Sequence, residues 1–393
     1  METKELVEIV RRGEDSTLQF KASFHSIDQL VAEMAAMSNY RGGQILVGVD
    51  DAGALTGITA DQVRQLNGWI SSGSQHNISP SILPRTTSVP IAEGLVVLVI
   101  EVPSSDSKPH FDKNGIIWIK AGADKRKVGS REEFRRLFQE SELIHADAVA
   151  VSTANIEDLS QTRLRSILVA KFGDSQADKI LGEAPFPLLL ENLDMSHNGK
   201  PTIAGLLLIG DNPQRRIPAF AIKAIAWVGN DPTGMEYRDS ENIEGTLGEM
   251  FKLAMAFVSR QLHKIQAGQG FNSVGQWEIP REALEELLVN ALIHRDYFIS
   301  DTIKLWVFED RVEITSPGVL PNNLTVEKIR LGSSNMRNPI LGSFGVYTLP
   351  YRGAGTGVRR ALLACPGIQL FNDSNLNVFK VTLPRPLQVK EPS

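Results

Sequence analysis

Three polar side chains recur at helical spacing inside an apolar stretch near residue 290. Glu286, Asn290 and His294 follow one another at intervals of four residues, which places them on one stripe of a helix. Most residues around them are leucine, valine, alanine or isoleucine, so we expect this helix to be buried. Burying an unpaired amide costs about 2–7 kcal/mol, and the stripe must therefore face backbone partners or a ligand.

A glycine-rich segment further along the chain suits a phosphate group. Gly353, Gly355 and Gly357 precede a predicted helix over residues 358–364. Glycine-rich turns and helix N-termini present unpaired N–H groups, and the helix dipole favours an anion there. Between the stripe and the glycines, a predicted hairpin (303–309 and 311–315) runs into Ser316-Pro317-Gly318.

The order of these motifs resembles the GHKL ATPases, the gyrase B, mismatch-repair and histidine-kinase type of ATP-binding domain. Segments 282–297, 313–321, 337–341 and 355–360 resemble one subgroup more closely. The resemblance implies ATP and Mg²⁺ as ligands. It assigns the site to Glu286 as general base, Asn290 as the Mg²⁺ ligand, and Ser316, Gly318, Arg337, Gly353, Gly355 and Gly357 as nucleotide contacts.

At two positions, Ser316 and His294, the residue leaves its role in the nucleotide site open. Many relatives place Asp where this chain has Ser316, and a hydroxyl accepts a hydrogen bond more weakly than a carboxylate, so adenine affinity is open. His294, with Arg295 and Asp296, is either a phosphate contact or a structural group at the helix end. The structural interpretation is favoured for His294.

A second resemblance covers the first 120 to 140 residues. Gly13-Glu14, Gln19-Phe20-Lys21, Gly42-Gly43 and Asp51 follow the pattern of the Schlafen family's AlbA-type domain. In nuclease members of that family, two Glu and one Asp form a metal-dependent RNA-cutting site, and the corresponding positions here are Glu14, Gln19 and Asp51. An amide holds a divalent cation less tightly than a carboxylate does, so Gln19 argues against cleavage.

Basic residues of this domain suggest phosphate contacts. The proposed contacts are Lys21, near its start, and Lys120, Lys125, Arg126 and Lys127, near its end. Such contacts supply affinity without reading a sequence. Acidic residues are interleaved with them, so a solvated charged surface is the alternative, and the family resemblance favours nucleic acid.

The length and composition of the chain limit its domain count, its class of protein and its partners. The chain has 393 residues, enough for two or three domains, and 42% hydrophobic and 22% charged residues, which is typical of globular proteins. Its net charge of −5 gives no overall attraction to nucleic acid, so any contact must be local. The single Cys365 fits a reducing cytoplasm, and no apolar run reaches the ~20 residues of a membrane helix.

We therefore predict an α/β (α+β) multidomain protein. Residues 1–140 would form a Schlafen AlbA-type domain, 141–242 an α/β connector with strands at 202–209 and 219–228, and 243–393 a Bergerat-type ATP-binding sandwich. The favoured function is an ATP-binding, ATP-hydrolysing protein that binds DNA or RNA, like those described as transcriptional regulators. An ATP-gated nuclease and a nucleotide-sensing scaffold without a nucleic-acid partner stay open, and GHKL domains often dimerise, which suggests a homo-oligomer.

Overall fold

The computed structural model describes residues 3–105, 107–141, 143–234, 236–265, 275–321, 324–353 and 355–386. The chain forms two compact units, Met1–Ile144 and His145–Ser393. Helices and several sheets occur in both, which confirms the α/β multidomain class. The further division of the second unit at residue 242 stays a prediction. Within the described residues, no helix is both long enough and apolar enough to span a bilayer.

The N-terminal unit combines short strands with four α-helices among its described residues. The helices are α1 (Thr3–Arg11), α2 (Ile27–Ser38), α3 (Ala60–Ser72) and α4 (Arg131–Glu140). The strands are β1 (Leu18–Lys21), β2 (Gly43–Val47), β3 (Ile58–Thr59), β4 (Ile78–Ser79), β5 (Arg85–Ala92), β6 (Leu95–Val102), β7 (Phe111–Asp112), β8 (Trp118–Ala121) and β9 (Asp124–Lys127).

The main sheet of this unit is buried on both faces. Its order is β1-β2-β6-β3, with β5 paired to β6, and β1 and β2 are parallel. Along β2, Ile45 and Val47 pack into one apolar core with α2, whereas Leu46 packs into a second core on the other face with Leu6 of α1. Alternate side chains of a strand point to opposite faces, so the apolar sequence of β2 follows from its central position.

The C-terminal unit contains the longer helices and the larger sheet. The helices are α5 (Gln161–Phe172), α6 (Asp174–Glu183), α7 (Phe186–Asn192), α8 (Ile203–Ile209), α9 (Leu247–Gln261), α10 (Arg281–His294), α11 (Val326–Arg330), α12 (Pro339–Thr348) and α13 (Gly357–Ala364). The strands are β10 (Ser196–His197), β11 (Lys200–Pro201), β12 (Ile222–Trp227), β13 (Tyr237–Ile243), β14 (Lys264–Ile265), β15 (Gln276–Trp277), β16 (Ile303–Val307), β17 (Arg311–Pro317), β18 (Gln369–Asp373) and β19 (Val378–Pro384).

Six strands form the sheet that supports α10. Their order is β13-β12-β16-β17-β19-β18, and β12 and β16 are the parallel pair. On one face, alternate residues such as Ala224, Leu305 and Ile314 are buried in the same core as Leu284 and Leu288 of α10. Every second side chain of these strands therefore packs against the apolar sides of α10. The polar stripe of α10 is not part of this packing.

One predicted strand is wrong. Residues 202–209 were expected to be extended, but Ile203–Ile209 is helix α8, and every residue in it is buried. A short apolar run has no period that separates a buried helix from a buried strand. The local signal is Thr202, whose side chain accepts a hydrogen bond from the Gly205 N–H and caps the helix.

Candidate functional site

The polar stripe of α10 opens onto a cavity in the C-terminal unit. The cavity encloses about 1010 Å³, including its mouth. It is bounded by α10, by β17 and β19 of the sheet, and by the segments around residues 318–337 and 351–360. The eight nucleotide-site residues named from the sequence all line it: Glu286, Asn290, Ser316, Gly318, Arg337, Gly353, Gly355 and Gly357.

One end of the cavity is made by α10 and the start of α13. A Cβ added to Gly357 would overlap Oε2 of Glu286 and lie 3.3 Å from Nδ2 of Asn290, so a larger residue here would push the Glu286 carboxylate aside. Nδ2 of Asn290 donates to the backbone oxygen of Glu286 at 2.6 Å. No described residue donates to Oδ1 of Asn290, which leaves this oxygen available to a cation.

Glu286 is engaged by a residue to which the sequence reasoning gave no role. Nη2 of Arg360, on α13, donates to Oε1 of Glu286, and the two form an ion pair. The Glu286 side chain is 14% exposed and that of Arg360 is 39% exposed. Arg360 was part of the recognised motif 355–360, and its spacing of three residues from Gly357 was the signal that could have placed it on the same face of a helix.

The cavity also has apolar walls. Leu287, Ile314 and Val381 line it, as does Ser316. Ser316 is buried, and its Oγ donates to the backbone oxygen of Ala291 at 3.4 Å. Because the hydroxyl hydrogen is used in this way, Ser316 can offer a ligand a hydrogen-bond acceptor.

His294 and Arg337 join the cavity to its supporting loops. Burial, helped by the charge of Arg337, lowers the pKa of His294 to about 4, so this imidazole is neutral at pH 7. Nη2 of Arg337 donates to the oxygen of Val319 at 2.6 Å, and Nη1 donates to the oxygen of His294 at 3.3 Å. Both side chains line the cavity, and Arg337 also fixes the backbone around it.

Arg295, the neighbour of His294, has a structural role. It is 2% exposed, and its guanidinium lies 4.8 Å from the ring centres of both Phe220 and Tyr297. Its Nη2 donates to the backbone oxygens of Ile299 and Asp301. These contacts hold the turn after α10 rather than a ligand.

A buried acid fixes the start of α12 beside the end of α10. Oδ2 of Asp147 accepts hydrogen bonds from the N–H groups of Ile340 and Leu341, at 2.8 and 3.0 Å. Asn338 donates to the backbone oxygens of Ile293 and Arg295 at 2.8 and 2.9 Å. Burial raises the pKa of Asp147 to about 6, although the two N–H groups act in the opposite direction.

In the N-terminal unit, two of the three residues that resemble a nuclease site, Glu14 and Gln19, bind each other. Oε1 of Glu14 accepts from the Gln19 side-chain amide and, at 2.6 Å, from the N–H of Phe20. Lys120 is 6% exposed, and its Nζ donates to Oε1 of Gln19 at 2.6 Å and to the backbone oxygen of Ala123. Burial lowers the pKa of Lys120. A buried ammonium therefore lies where Gln19 replaces an acid.

Glu14 and Asp51 line a second cavity, of about 980 Å³ including its mouth, together with Arg11. Gln19 is not among the residues that line this cavity, and its side-chain amide donates to Glu14. Within the part of the chain that the structure describes, no three His, Cys, Asp or Glu side chains are grouped as a metal site would require.

The predicted basic residues differ in whether they form ion pairs with acidic side chains. Lys125 pairs with the buried Glu33 at 2.6 Å, and Arg126 pairs with Glu133. Lys127 is exposed and lies 5.4 Å from the centre of the Trp118 ring. Lys21, half-buried, is close enough to Lys120 for its charge to affect that pKa.

Comparisons with known families agree with both resemblances. The family model described as "Schlafen, AlbA_2" matches residues 14–129, and the one described as "Putative ATP-dependent DNA helicase recG C-terminal" matches residues 300–375. The two resemblances inferred from the sequence are thereby confirmed. The second match begins after α10, so it includes Ser316, Gly318, Arg337 and the three glycines but not Glu286 or Asn290.

No curated protein matches the chain. Among solved structures, it is similar to the DIP2311 protein from Corynebacterium diphtheriae, at 19% identity and a TM-score of 0.46. That alignment covers 97% of this chain and 80% of the other.

Proposed function

We propose that this chain, with its Schlafen AlbA_2-type segment and its ATPase-like segment, is an ATP-responsive nucleic-acid-binding protein. The observation that carries the proposal is the mixed chemistry of the C-terminal cavity. Its lining combines glycine backbone, Asn290 and Arg360 with apolar side chains such as Leu287 and Ile314. A nucleotide needs both, because its phosphates carry charge and its base presents an aromatic face.

The hydroxyl of Ser316 supports adenine as the base. Its hydrogen is donated to Ala291, so its remaining lone pairs suit the exocyclic amine of adenine. The O6 atom of guanine would meet the same lone pairs and find no donor. A neutral acceptor gives a weaker bond than a carboxylate, and we therefore propose adenine recognition with moderate affinity.

Asn290 fits the role of Mg²⁺ ligand. Its amide nitrogen is held by the backbone of Glu286, and Oδ1 is left for a hard cation. Mg²⁺ bound with the nucleotide would neutralise part of the charge on the phosphates. Three arginines, Arg337, Arg352 and Arg360, also line the cavity and add to this compensation.

Thermal unfolding with ATP and Mg²⁺ tests the site directly. A ligand that binds only the native state stabilises it by about 2.7 kcal/mol at a hundredfold excess over its Kd. We expect ATP to raise the Tm of the wild type and to leave that of Asn290→Ala unchanged. Asn242→Ala, on the exposed part of β13, is the matched control and should respond like the wild type. An equal response in all three proteins would exclude Asn290 from the site.

For the N-terminal unit, we propose nucleic-acid contacts through Lys21 and Lys127, with regulation of transcription as the process. Lys120, Lys125 and Arg126 are held by internal partners and would contribute less. The double variant Lys21→Ala/Lys127→Ala should weaken binding to DNA or RNA and reduce the slope of log K against log salt by about 2. Lys113→Ala, whose charge pairs with Asp28, is the control. An unchanged salt slope in the double variant would contradict this assignment.

A further inference from the structure

We infer that Arg360 distinguishes a nucleoside triphosphate from a diphosphate, because its guanidinium exchanges Glu286 for the terminal phosphate. The inference rests on the proposed nucleotide site and specifies how that site is regulated. In the diphosphate complex and without nucleotide, Arg360 would stay on Glu286. With a triphosphate, it would move to the phosphate and release the carboxylate.

The position of Arg360 supports this role. Gly357 brings the start of α13 against Glu286 and Asn290, and Arg360 follows three residues later on the same side of the helix. Its guanidinium lines the cavity and contacts the carboxylate of Glu286, which Gly357 also approaches. The phosphates of a nucleotide whose base lies near Ser316 would extend toward this guanidinium.

The strengths of the two interactions favour an exchange. The ion pair between Arg360 and Glu286 joins a carboxylate to a guanidinium that is 39% exposed, and pairs open to solvent contribute little to stability. A terminal phosphate carries more charge than a carboxylate and offers oxygens to two N–H groups at once. A diphosphate is one group shorter and would leave the ion pair intact.

The other cavity arginines are placed differently. Arg337 donates to the backbone oxygens of His294 and Val319, which ties it to the loops. Arg352 is exposed in the glycine-rich segment. Among the cavity residues that the structure describes, Arg360 is thus the cation paired with the proposed general base.

The exchange would couple the state of Glu286 to the nucleotide. While Nη2 of Arg360 donates to Oε1 of Glu286, that oxygen is not free to accept a hydrogen bond from an attacking water. Glu286 would therefore reach such a water when a triphosphate has drawn Arg360 away. This arrangement would keep the resting site inactive without moving any strand of the sheet.

Calorimetric titration with ADP and with a non-hydrolysable ATP analogue, both with Mg²⁺, tests the inference. We expect the wild type to prefer the triphosphate, and Arg360→Ala to lose about tenfold or more of its affinity for the analogue while its affinity for ADP changes little. Glu286→Gln should bind the analogue more tightly, since it removes the charge that holds Arg360. Arg359→Ala is the matched control, because Arg359 is exposed and does not line the cavity.

The outcomes separate this inference from the proposed function. If Arg360→Ala weakens both nucleotides equally, or weakens neither, Arg360 does not read the terminal phosphate and the inference is wrong. The same holds if the wild type binds both nucleotides equally. If the wild type binds neither nucleotide, the proposed function is wrong and the inference fails with it.

Discussion

The two units treat their polar residues in opposite ways. In the N-terminal unit, Glu14, Gln19 and Lys120 form a chain of hydrogen bonds among themselves. In the C-terminal cavity, Asn290 donates from Nδ2 to backbone and keeps Oδ1 for a ligand, and Ser316 donates its hydroxyl hydrogen to backbone and keeps the lone pairs of Oγ. Both sets come from recognisable motifs, so a motif predicts where side chains meet and does not show whether they are already satisfied.

This difference has a thermodynamic meaning. A buried group that loses its partner costs the protein its full desolvation, whereas a group that faces a cavity costs little when removed. The N-terminal cluster should therefore contribute to the stability of the free protein. The C-terminal cavity should contribute mainly when a ligand is bound.

Asp147 is the strongest test of the contrast, because it is a buried acid of the C-terminal unit that has no ion pair among the described residues. Its pKa of about 6 lies above the ordinary 3.8, so the native state binds the proton more tightly than the unfolded chain. Its contribution to stability is present at low pH and is lost as the pH rises from about 4 to about 6. Two pKa units correspond to a loss of about 3 kcal/mol.

Urea unfolding of wild type and Asp147→Asn at pH 4 and pH 7 measures this effect. The variant cannot ionise, so its stability relative to the wild type should improve as the pH rises, by up to about 3 kcal/mol. A constant difference between the two proteins across this range would mean that Asp147 does not titrate there.

Lys120 and Asn290 allow the contrast to be measured in one experiment. Lys120→Met leaves the oxygens of Gln19 and Ala123 without a donor and should destabilise the N-terminal unit by about 1–3 kcal/mol. Asn290→Ala should change the stability of the nucleotide-free C-terminal unit by less than about 0.5 kcal/mol. Hydrogen exchange followed on β1 and on α10 reports the two units separately. Equal effects would remove the distinction drawn between the sites.

Ser316→Ala is expected to have the smallest effect. The substitution removes one neutral hydrogen bond to adenine, worth about 0.5–1.5 kcal/mol, and should reduce ATP affinity by roughly threefold to tenfold. Ser316→Asp should have the opposite sign, since a carboxylate is the stronger acceptor. Competition between ATP and GTP for each variant gives the measurement, and an unchanged ATP preference in both would place the base elsewhere.

The sequence predicted those parts of the fold in which one signal dominates. The stripe of α10 and the apolar β2 follow from periodicity, and the start of α13 follows from its glycines. Helix α8 was mistaken for a strand because Leu206 and its neighbours are apolar on all sides. Local pattern was insufficient there, and the capping Thr202 was the better guide.

The remaining errors of omission involve partners far apart in the chain. Asp147 caps a helix that begins at Pro339, and Lys120 meets Gln19 across about a hundred residues. No local pattern carries such information, because each partner alone has an ordinary interpretation. The ion pair between Glu286 and Arg360 likewise joins residues 74 positions apart, on α10 and α13. The motifs therefore contained both residues but did not show the contact between them.

A substitution at Gly357 would alter the nucleotide site through side-chain volume alone. A methyl group there would overlap Oε2 of Glu286, which is the flexible end of that side chain, so Gly357→Ala would displace the carboxylate without altering any charge. The substitution would thereby disturb the pairing of Glu286 with Arg360 while every reactive group stays in place. Gly357 is thus a position at which added volume alone acts on the proposed general base.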